Sequence, residues 1–394
     1  MIYDCIIIGS GPSGLMAAIE ASKKNKILII EKNSSPGVKL LLTGNKRCNL
    51  TNLKSNNDFI NEITHNKKYL YSTINNFGPK EIYDFFINNN VLLKEEEDNK
   101  IFPVSNKSRD ILDALLNNLK GVSINYNETL NNIINENIKK VITNKNIYKT
   151  KNIIIALGGS SYPLTGSNGD NLRIAKLLKQ PTTDIYPCET SIILKDNLSL
   201  AGTSIEKVNI KYKKYSSAGN LMFTHKGISG SAIMKLSEYI YLNNEKEIIV
   251  DFLPDITPEE LLINIKEYDN NKSIASYLNQ YFTKKFILYL LQTINIDSQT
   301  LIKRLPSKYL DNIINTIKHK TFIVKSTEDI KYSYITGGGI DMKYINTSTM
   351  ESLINKGIYF VGESLDLHGP LGGYNITIAL STGYTAGSNI NKKL

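Results

Sequence analysis

The sequence predicts an α/β protein whose main sheet domain is built from both ends of the chain, with a β-barrel-like insert and a helical insert between them. A strand, a glycine turn, a helix and a second strand open the chain at residues 2–31, which is the minimal unit of a doubly wound parallel sheet. Further apolar strands that run into glycines lie at Asn152–Leu157 and Gly357–Val361. The predicted boundaries are 1–188 and 335–394 for the sheet domain, 189–255 and 320–334 for the barrel-like insert, and 256–319 for the helical insert.

Two stretches in the middle of the chain predict the inserts. Alternating runs such as Val208–Tyr212 and Glu247–Asp251 have the period of half-buried strands, which favours an antiparallel, barrel-like subdomain. From Thr257 the pattern becomes helical, because Thr257 is suited to cap a helix that has Pro258 at its first position. The middle of the chain therefore has a β part followed by a helical part.

Composition excludes several classes of protein. The 394 residues are 41% hydrophobic and 21% charged, as in an ordinary globular protein of two or three structural units. No apolar run approaches the roughly 18 residues of a membrane-spanning helix, and the chain opens with a strand rather than an export signal. The three cysteines, Cys5, Cys48 and Cys188, lack the spacing of a zinc site or a disulfide scaffold. We therefore expect a cytoplasmic protein without a membrane segment or a bound metal.

The net charge is +10, with 47 basic and 37 acidic residues. A positive balance can attract a polyanion, but Lys, Asn and Ile are all abundant, as AT-biased coding would produce. One segment of the barrel-like insert interleaves basic and aromatic residues, a mixture that can contact RNA. A solvated strand face explains the same pattern, and both interpretations stay open for Lys207, Lys211, Tyr212, Lys213, Lys214 and Tyr215.

The glycine turn Gly9–Gly14 has the form GxGxxG and lies between a strand and a helix, which is the arrangement of a dinucleotide site. Its glycines allow a tight turn and a close approach of the backbone to a pyrophosphate, while the helix N-terminus offers free N–H groups. Glu31, at the end of the second strand, is placed to accept hydrogen bonds from the adenosine ribose. The nucleotide contacts predicted for this unit are Gly9, Gly11, Pro12, Ser13, Gly14, Glu31 and Lys32.

The far end of the chain favours FAD as the resident cofactor. After the second apolar strand come Glu363, a loop that ends at Gly373, and a small-residue helix expected to begin near Asn375. This C-terminal segment suits a flavin, because the ribityl chain and the ring need binding groups beyond those that hold the nucleotide half. The N-terminus of the helix would stabilise negative charge at the N1/O2 edge of the ring. The alternative is a glycine hairpin without a ligand.

Because Gly337–Gly339 is not followed by a helical pattern, NAD(P)H is expected only as a transient reductant.

Longer motifs resemble one known family. The segment Gly37–Asn52 is similar to the signature GxK(x)3TGxGRCNxTN of the NAD(P)/FAD-dependent oxidoreductases of the BaiN/RdsA type, also described as the aminoacetone oxidase family. The resemblance implies a Rossmann-like, glutathione-reductase-like FAD-binding domain in two chain segments. The chain departs from the family pattern at Lys46, where Gly is usual, at Leu157 and at Ser231. The other matching segments are Phe102–Pro103, Ala156–Asp170, Phe223–Gly230, Thr336–Gly339 and Gly373–Asn375.

The resemblance also implies site residues. The family-like positions Lys39, Thr43, Arg47, Cys48 and Asn49 would lie on a loop that passes the isoalloxazine ring. A cation on this loop, Lys39 or Arg47, would stabilise the reduced flavin, and Asn49 would hydrogen-bond a ring edge. Lys39 and Arg47 are equally suited to hold the pyrophosphate. The candidate catalytic residues are Arg47, Cys48 and His368, and a packed thiol and a structural histidine are the alternatives for the last two. The remaining predicted cofactor contacts are Ala156, Gly158, Gly159, Gly362, Glu363, Gly372, Gly373, Tyr374, Asn375 and Ile376.

We therefore expect an FAD-dependent oxidoreductase that transfers hydride through flavin N5. The resemblance favours NAD(P)H-dependent reduction of a carbon–carbon double bond, with uridine in 23S ribosomal RNA, converted to dihydrouridine, as the substrate. A small-molecule flavoenzyme, either an unsaturated keto-steroid reductase or an amine oxidase, is the first alternative. A flavin-stabilised binding protein without turnover is the alternative of a different class. The expected partner is ribosomal RNA or a small-molecule substrate, and the oligomeric state is left open.

Overall fold

The computed structural model describes residues 1–243 and 246–392 of the chain. The chain divides into two compact units, of which unit 1 contains Met1–Tyr186 and the chain from Tyr334 onward, and unit 2 contains Pro187–Ser333. The strands, in chain order, are β1 (Ile2–Ile8), β2 (Ile27–Ile30), β3 (Thr51–Asn52), β4 (Leu93–Glu96), β5 (Lys100–Pro103), β6 (Ser123–Asn125), β7 (Leu130–Ile134), β8 (Lys139–Thr143), β9 (Ile147–Ile155), β10 (Tyr186–Cys188), β11 (Ile192–Leu194), β12 (Ser204–Tyr212), β13 (Tyr215–Phe223), β14 (Gly227–Ser229), β15 (Glu247–Asp251), β16 (Lys320–Thr327), β17 (Ile335–Gly337), β18 (Ile345–Asn346), β19 (Glu351–Ser352) and β20 (Ile358–Phe360). The α-helices are α1 (Pro12–Ala21), α2 (Val38–Leu42), α3 (Asn56–Glu62), α4 (Tyr71–Asn76), α5 (Pro79–Asn88), α6 (Ser108–Asn117), α7 (Asp170–Leu177), α8 (Ser231–Leu242), α9 (Pro258–Glu267), α10 (Ile274–Leu278), α11 (Lys284–Gln292), α12 (Ser307–Lys318) and α13 (Tyr374–Lys392).

Unit 1 is organised around a mixed sheet whose central strands are parallel. Its order is β18-β19-β20-β9-β1-β2-β6, and β7 and β8 form an antiparallel extension next to β9. Strand β1 pairs in parallel with β2 and β9, and β20 pairs in parallel with β9. Ile6–Ile8 and Ile153–Ile155 are all buried, which explains why these strands are continuous apolar runs. Both ends of the chain therefore contribute neighbouring strands to one sheet, as the sequence predicts.

Helices α1 and α13 pack closely against each other because α13 carries small residues on one face. A Cβ on Gly383 would lie 2.2 Å from the Ser13 carbonyl oxygen, and a Cβ on Gly387 would lie 2.4 Å from the Ala17 carbonyl oxygen. The predicted small-residue helix is confirmed, and it begins at Tyr374, one residue before the predicted start. Its close packing fixes the C-terminal segment beside the helix that follows the glycine turn.

Unit 2 contains a closed antiparallel barrel of order β11-β14-β13-β12-β15-β16. Helices α9 to α12 lie between β15 and β16 in the chain. Alternate residues of β12, such as Val208 and Ile210, are buried in its core, as the alternating pattern predicts. Helix α9 begins as predicted, with Thr257 as its N-cap and Glu260 completing a capping box. Both predicted inserts, barrel-like and helical, are therefore present. Among the described residues of the chain, no helix is both long and apolar enough to cross a membrane.

Candidate active site

The glycine turn between β1 and α1 combines close packing with open space. Gly9 has a φ of 104°, and a Cβ on it would lie 2.3 Å from the Ala156 carbonyl oxygen. A Cβ on Gly14 would lie 2.1 Å from the Gly9 carbonyl oxygen. At Gly11 the φ is −73° and no described atom lies within 4 Å of an added Cβ. Because no described side chain caps α1, its first turn can offer N–H groups to a phosphate.

Glu31 and Lys32, at the end of β2, are both engaged by the protein itself. The buried Glu31 carboxylate accepts hydrogen bonds from Ser10 N at 2.8 Å, from Ser10 Oγ at 2.6 Å and from Asn33 N at 2.8 Å. It fixes the glycine turn, and about one of its roughly four acceptor sites is left for the predicted ribose. Lys32 Nζ is ion-paired with Asp170 at 2.8 Å. Lys32 therefore ties β2 to α7, which does not favour its predicted contact with the cofactor.

A polar cluster joins α2 to the segment that follows β20. Lys39 Nζ lies 2.6 Å from Glu363 Oε2 and 2.6 Å from Ser161 Oγ. Glu363 Oε1 accepts a hydrogen bond from Thr336 N at 3.0 Å. A Cβ on Gly159 would lie 2.5 Å from Thr336 Oγ1, so a glycine is required there. Three predicted cofactor contacts, Lys39, Gly159 and Glu363, are thus brought together, and Glu363 balances the charge of Lys39.

Ala156, Gly158 and Gly362 occupy the same end of the parallel strands. Ala156 is buried directly after β9. Gly158 and Gly362 have φ of 73° and 64°, and Cβ atoms on them would lie 2.7 Å from Ser167 Oγ and 2.5 Å from Ser13 Oγ. Gly362 therefore allows the end of β20 to approach the start of α1, and Gly158 makes room for Ser167. The predicted contacts from β9 and β20 therefore converge on the glycine turn.

The loop Thr43–Asn49 between α2 and β3 runs through the left-handed region of backbone conformations. Gly44, Asn45, Lys46 and Cys48 have φ of 55°, 55°, 67° and 60°. Such geometry costs a residue with a side chain on the order of 1 kcal/mol, and Asn tolerates it best. At Lys46, where the family pattern has Gly, the lysine itself adopts the glycine-like conformation.

Arg47 is held by the small antiparallel sheet of order β3-β5-β4. Its guanidinium pairs with Glu96, donates a hydrogen bond to Asn106 Oδ1 at 3.0 Å, and lies 4.2 Å from the centre of the Phe102 ring. Lys94 pairs with the same carboxylate at 3.0 Å, and hydrogen bonds from Lys94 and Arg47 hold the pKa of Glu96 below its usual value. The charge of Arg47 is therefore compensated, which argues against its predicted roles at the reduced flavin and the pyrophosphate.

Cys48 is a core residue. Its side chain is 0% exposed, and burial raises the pKa of its thiol to about 12, although a hydrogen bond with Thr43 offsets part of the rise. Such a thiol neither ionises at neutral pH nor reaches a substrate. The predicted catalytic role of Cys48 does not fit this environment, whereas a packed thiol does. Thr43 Oγ1 donates to the Leu40 carbonyl at 2.7 Å, so Thr43 closes the end of α2.

Two amide oxygens beside this loop are buried. Among the described residues, no donor contacts Oδ1 of Asn49 or Oδ1 of Asn52. The Asn52 side chain is fixed by its Nδ2, which donates to the Asp98 carbonyl oxygen at 2.7 Å. A buried acceptor without a donor costs about 1–3 kcal/mol, so each oxygen fits a donor carried by a ligand, such as N3–H of a flavin. Asn49 is a predicted flavin contact, and Asn52 is added by the structure.

The glycines that precede α13 pack against protein atoms. A Cβ on Gly373, whose φ is 92°, would lie 2.5 Å from the carbonyl carbon of Thr51. A Cβ on Gly372, whose φ is 130°, would lie 3.4 Å from the Tyr374 ring. Gly373 therefore allows α13 to approach β3, which is a different role from the predicted approach to the flavin ring.

The first residues of α13 stabilise the loop that precedes this helix. Tyr374 is buried and stacks on Phe59, with ring centroids 4.6 Å apart. Asn375 Nδ2 donates to the Gly369 carbonyl at 2.7 Å, and its Oδ1 accepts from Gly369 N at 3.0 Å. Ile376 is half-buried and packs against the core of unit 1. These side chains, predicted as cofactor contacts, therefore serve mainly as scaffold.

Comparison with known proteins agrees with this architecture. Residues 3–389 match the family described as HI0933-like protein Rossmann domain. The chain belongs to this family. It is 27% identical, over 98% of both chains, to the ribosomal RNA dihydrouridine synthase of Haemophilus influenzae. It is 26% identical, over 97% of both chains, to the 3-dehydro-bile acid delta(4,6)-reductase of Clostridium scindens. The 3-ketosteroid delta1-dehydrogenase of Sterolibacterium denitrificans shares its fold, with a TM-score of 0.55 at 12% identity over 100% of each chain.

This HI0933-like protein is an FAD-dependent oxidoreductase, as the sequence predicts. Its residues fit the cofactor in three respects. The start of α1 offers N–H groups beside the open space at Gly11, Glu363 stands at the end of β20, and Asn49 carries a buried acceptor without a donor among the described residues. These groups would hold the diphosphate, the ribityl chain and the ring edge, respectively.

His368, the third predicted catalytic residue of the HI0933-like protein, lies in a buried cluster that no sequence motif indicates. Its ring stacks on that of His65, with centroids 4.7 Å apart and an interplanar angle of 18°. The Tyr186 ring stands edge-on to His368, with centroids 6.1 Å apart. His65 Nε2 lies 2.7 Å from Asp366 Oδ1, although 301 residues separate them. His65 and Asp366 thus contact the cluster around His368, and the sequence predicts a role for neither of them.

Proposed function

We propose that this protein reduces a carbon–carbon double bond with NAD(P)H as electron donor, and that its substrate is uridine in large-subunit ribosomal RNA, which becomes dihydrouridine. The observation that carries the proposal is the end-to-end similarity to a ribosomal RNA dihydrouridine synthase, at 27% identity over 98% of both chains. An exposed basic hairpin on unit 2 supports the choice of RNA.

The site has a group for each task of such a reaction. FAD bound at the glycine turn would supply the hydride. The start of α1 would bind the diphosphate, and Asn49 would orient the ring through its buried oxygen. Of the three candidate catalytic residues, we assign the proton to His368, because Arg47 is paired with Glu96 and burial raises the pKa of the Cys48 thiol to about 12.

NAD(P)H is proposed to dock transiently, because the second glycine-rich segment is used for packing. Gly338 has a φ of 78°, and a Cβ on it would lie 2.0 Å from the Asp184 carbonyl oxygen. Gly339 has a φ of 140°, and a Cβ on it would lie 2.8 Å from the Ser364 carbonyl oxygen. These glycines serve close contacts within unit 1, which leaves the nicotinamide donor without a dinucleotide turn of its own there.

Of the residues predicted to contact RNA, those at the tip of the β12–β13 hairpin are the ones we propose for this contact. Lys207 is ion-paired with Asp255 at 2.6 Å, and Tyr212 is buried inside the barrel. Tyr215 stacks on Tyr239, with ring centroids 3.9 Å apart. Lys214 Nζ lies 5.4 Å from the centre of the Tyr215 ring, which combines positive charge with an aromatic surface. The exposed residues of this tip are Lys211, Lys213 and Lys214.

The decisive experiment is nucleoside mass spectrometry of large-subunit ribosomal RNA from a strain that lacks the gene. We expect one dihydrouridine to disappear, to return with the wild-type gene, and to stay absent with a Gly11→Ala gene whose product folds without FAD. An unchanged dihydrouridine content in the deletion strain would reject RNA as the substrate.

A second candidate, reduction of an unsaturated keto-steroid, is favoured by the 26% identity to the Clostridium scindens reductase. Anaerobic photoreduction followed by addition of either ribosomal RNA or a 3-keto-4-ene steroid separates the candidates, since only a substrate reoxidises the flavin rapidly. Binding of single-stranded RNA should also weaken with salt, with a log–log slope of about −0.7 per neutralised phosphate. Replacing Lys211, Lys213 and Lys214 by Gln should flatten this slope, and an unchanged slope would remove the hairpin from the RNA surface.

A further inference from the structure

Three polar residues form a chain of contacts behind His368. Asp366 Oδ1 lies 2.7 Å from His65 Nε2. Asn66 Nδ2 donates to the backbone oxygen of Asp366 at 2.9 Å and to its Oδ2 at 3.0 Å. The His65 ring, held at its edge by the carboxylate, stacks on the His368 ring at a centroid distance of 4.7 Å. One side of the His368 ring is therefore set by residues about 300 positions earlier in the chain.

We propose that Asp366, Asn66 and His65 are positioning residues that orient the His368 imidazole for proton delivery to the substrate double bond. This inference rests on the double-bond reduction proposed above. In that reaction one carbon of the double bond takes a hydride from reduced FAD, which is thereby oxidised, and the other carbon takes a proton. The proton leaves the His368 imidazolium, which becomes neutral and is protonated again from solvent.

The charges of the cluster suit this role. Asp366 is 4% exposed. Burial alone would raise the pKa of Asp366, but hydrogen bonds from His65 and Thr183 and the positive charges of His65 and His368 hold this pKa below its usual value. Asp366 therefore remains a carboxylate at neutral pH. The carboxylate fixes which nitrogen of the His65 ring carries the hydrogen-bonded proton, and the His65 ring held in this way stacks on His368.

Packing alone does not require this arrangement. A buried charge is costly to desolvate, and apolar side chains of similar volume stabilise a protein at least as well as a buried ion pair. The backbone of Asp366 is already fixed, because its N–H donates to the Ile340 carbonyl at 3.0 Å. Asp366 and His368 also lie only a few residues after Glu363, which is a predicted cofactor contact. The position of the charge beside the cofactor segment points to proton handling rather than to a purely structural pair.

Ring dynamics test the positioning without a substrate. The protein has four histidines, so the His368 ring signal can be assigned by substitution. We would measure ¹³C relaxation of this ring in the FAD-loaded wild type, in His65→Ala and in Asp366→Asn. The control is His319→Gln, at the exposed end of α12. We expect the ring order parameter to be equally high in the wild type and the control, to fall most in His65→Ala, and to take an intermediate value in Asp366→Asn.

An equally rigid His368 ring in both variants would overturn the proposal. If His65→Ala fails to fold, the ring dynamics of Asp366→Asn alone decide the test.

Rapid kinetics add a second test. Each variant should slow reoxidation of reduced FAD by the substrate by about 10- to 100-fold. Reduction of FAD by dithionite should stay unchanged. In a His368→Gln background, His65→Ala should cause no further slowing, because it acts only through His368. Additive slowing would reject the positioning role of His65. If no double-bond substrate reoxidises the wild type, the proposed function fails, and the ring dynamics still decide the positioning.

Discussion

Two turns of unit 1 that are predicted to lie beside the cofactor are built in different ways. In the turn Gly9–Gly14, the left-handed conformation falls on Gly9, and a side chain on Gly9 or Gly14 would overlap a backbone oxygen. In the loop Thr43–Asn49, left-handed conformations fall on Lys46 and Cys48 as well as on residues that adopt them readily. The first turn is relaxed, and the second is strained.

The difference shows which shapes a local sequence can specify. The first turn follows from its glycines and from the strand and helix on either side. The second is held by distant residues, since Ser108 N donates to the Lys46 carbonyl at 2.8 Å and Ser108 Oγ donates to the Leu41 carbonyl at 2.9 Å. Strained backbone persists where the surrounding structure over-determines it, and such places are common at functional sites.

Substitution of Gly9 by Ala tests the first turn and should have the largest effect. The added Cβ would lie 2.3 Å from the Ala156 carbonyl oxygen at a φ of 104°, so overlap and strain each cost on the order of 1–3 kcal/mol. We expect thermal unfolding of the apo protein at a clearly lower temperature, and loss of FAD. The control is Gly202→Ala, where φ is 83° but no described atom lies within 4 Å of the Cβ. Equal destabilisation by both would show that the overlap at Gly9 is relieved.

Gly11→Ala separates folding from binding within the same turn. Because the φ is −73° and the site of the Cβ is open, we expect the apo protein to keep its stability within about 0.5 kcal/mol. FAD affinity should fall by about 100-fold, since the Cβ enters the space into which a diphosphate approaches. Fluorescence titration of the apo protein with FAD measures this loss. Full affinity in a folded Gly11→Ala protein would mean that the diphosphate does not lie at this turn.

The fold was predictable because its signals are local. The glycine turn, the alternation of β12 and the cap at Thr257 each act within a few residues, and the structure has all three elements where they are predicted. Even the joining of the two chain ends in one sheet follows from apolar strands that run into glycines. Such patterns report which residues are buried and how the backbone turns.

The site residues were less predictable because a residue type does not reveal its partner. The sequence assigns Arg47 to the cofactor, but the structure pairs it with Glu96, a residue of β4. The sequence also gives no signal for the contact between His65 and Asp366, because this contact depends on how distant segments of the chain are arranged. Asn49 is the instructive exception, because its buried oxygen lacks a donor among the described residues and leaves its predicted role open to a direct test.

Asn49→Leu should have an intermediate effect, and it should act on binding rather than on folding. Removing a buried acceptor that lacks a donor leaves the apo protein as stable as the wild type or more stable. FAD affinity should fall by about 10- to 100-fold, which corresponds to the loss of one buried hydrogen bond worth about 1–3 kcal/mol. Asn375→Leu is the matched control, because its amide makes two hydrogen bonds with Gly369, so that variant should lose apo stability. Loss of apo stability in Asn49→Leu would show that its amide has a structural partner.

Lys46→Gly should have the smallest effect, and its sign decides whether the second loop is strained. Glycine adopts the φ of 67° freely, which relieves about 1–2 kcal/mol, while its greater freedom in the unfolded chain takes back about 0.5–1 kcal/mol. We therefore expect the free energy of unfolding of the apo protein to rise by about 0.5–1 kcal/mol in denaturant titrations. Lys107→Gly, at an exposed position with a φ of −122°, should give no gain, because there is no strain to relieve. If Lys46→Gly gave no gain either, the loop would be relaxed, and the contrast between the two turns would reduce to the packing of Gly9 and Gly14.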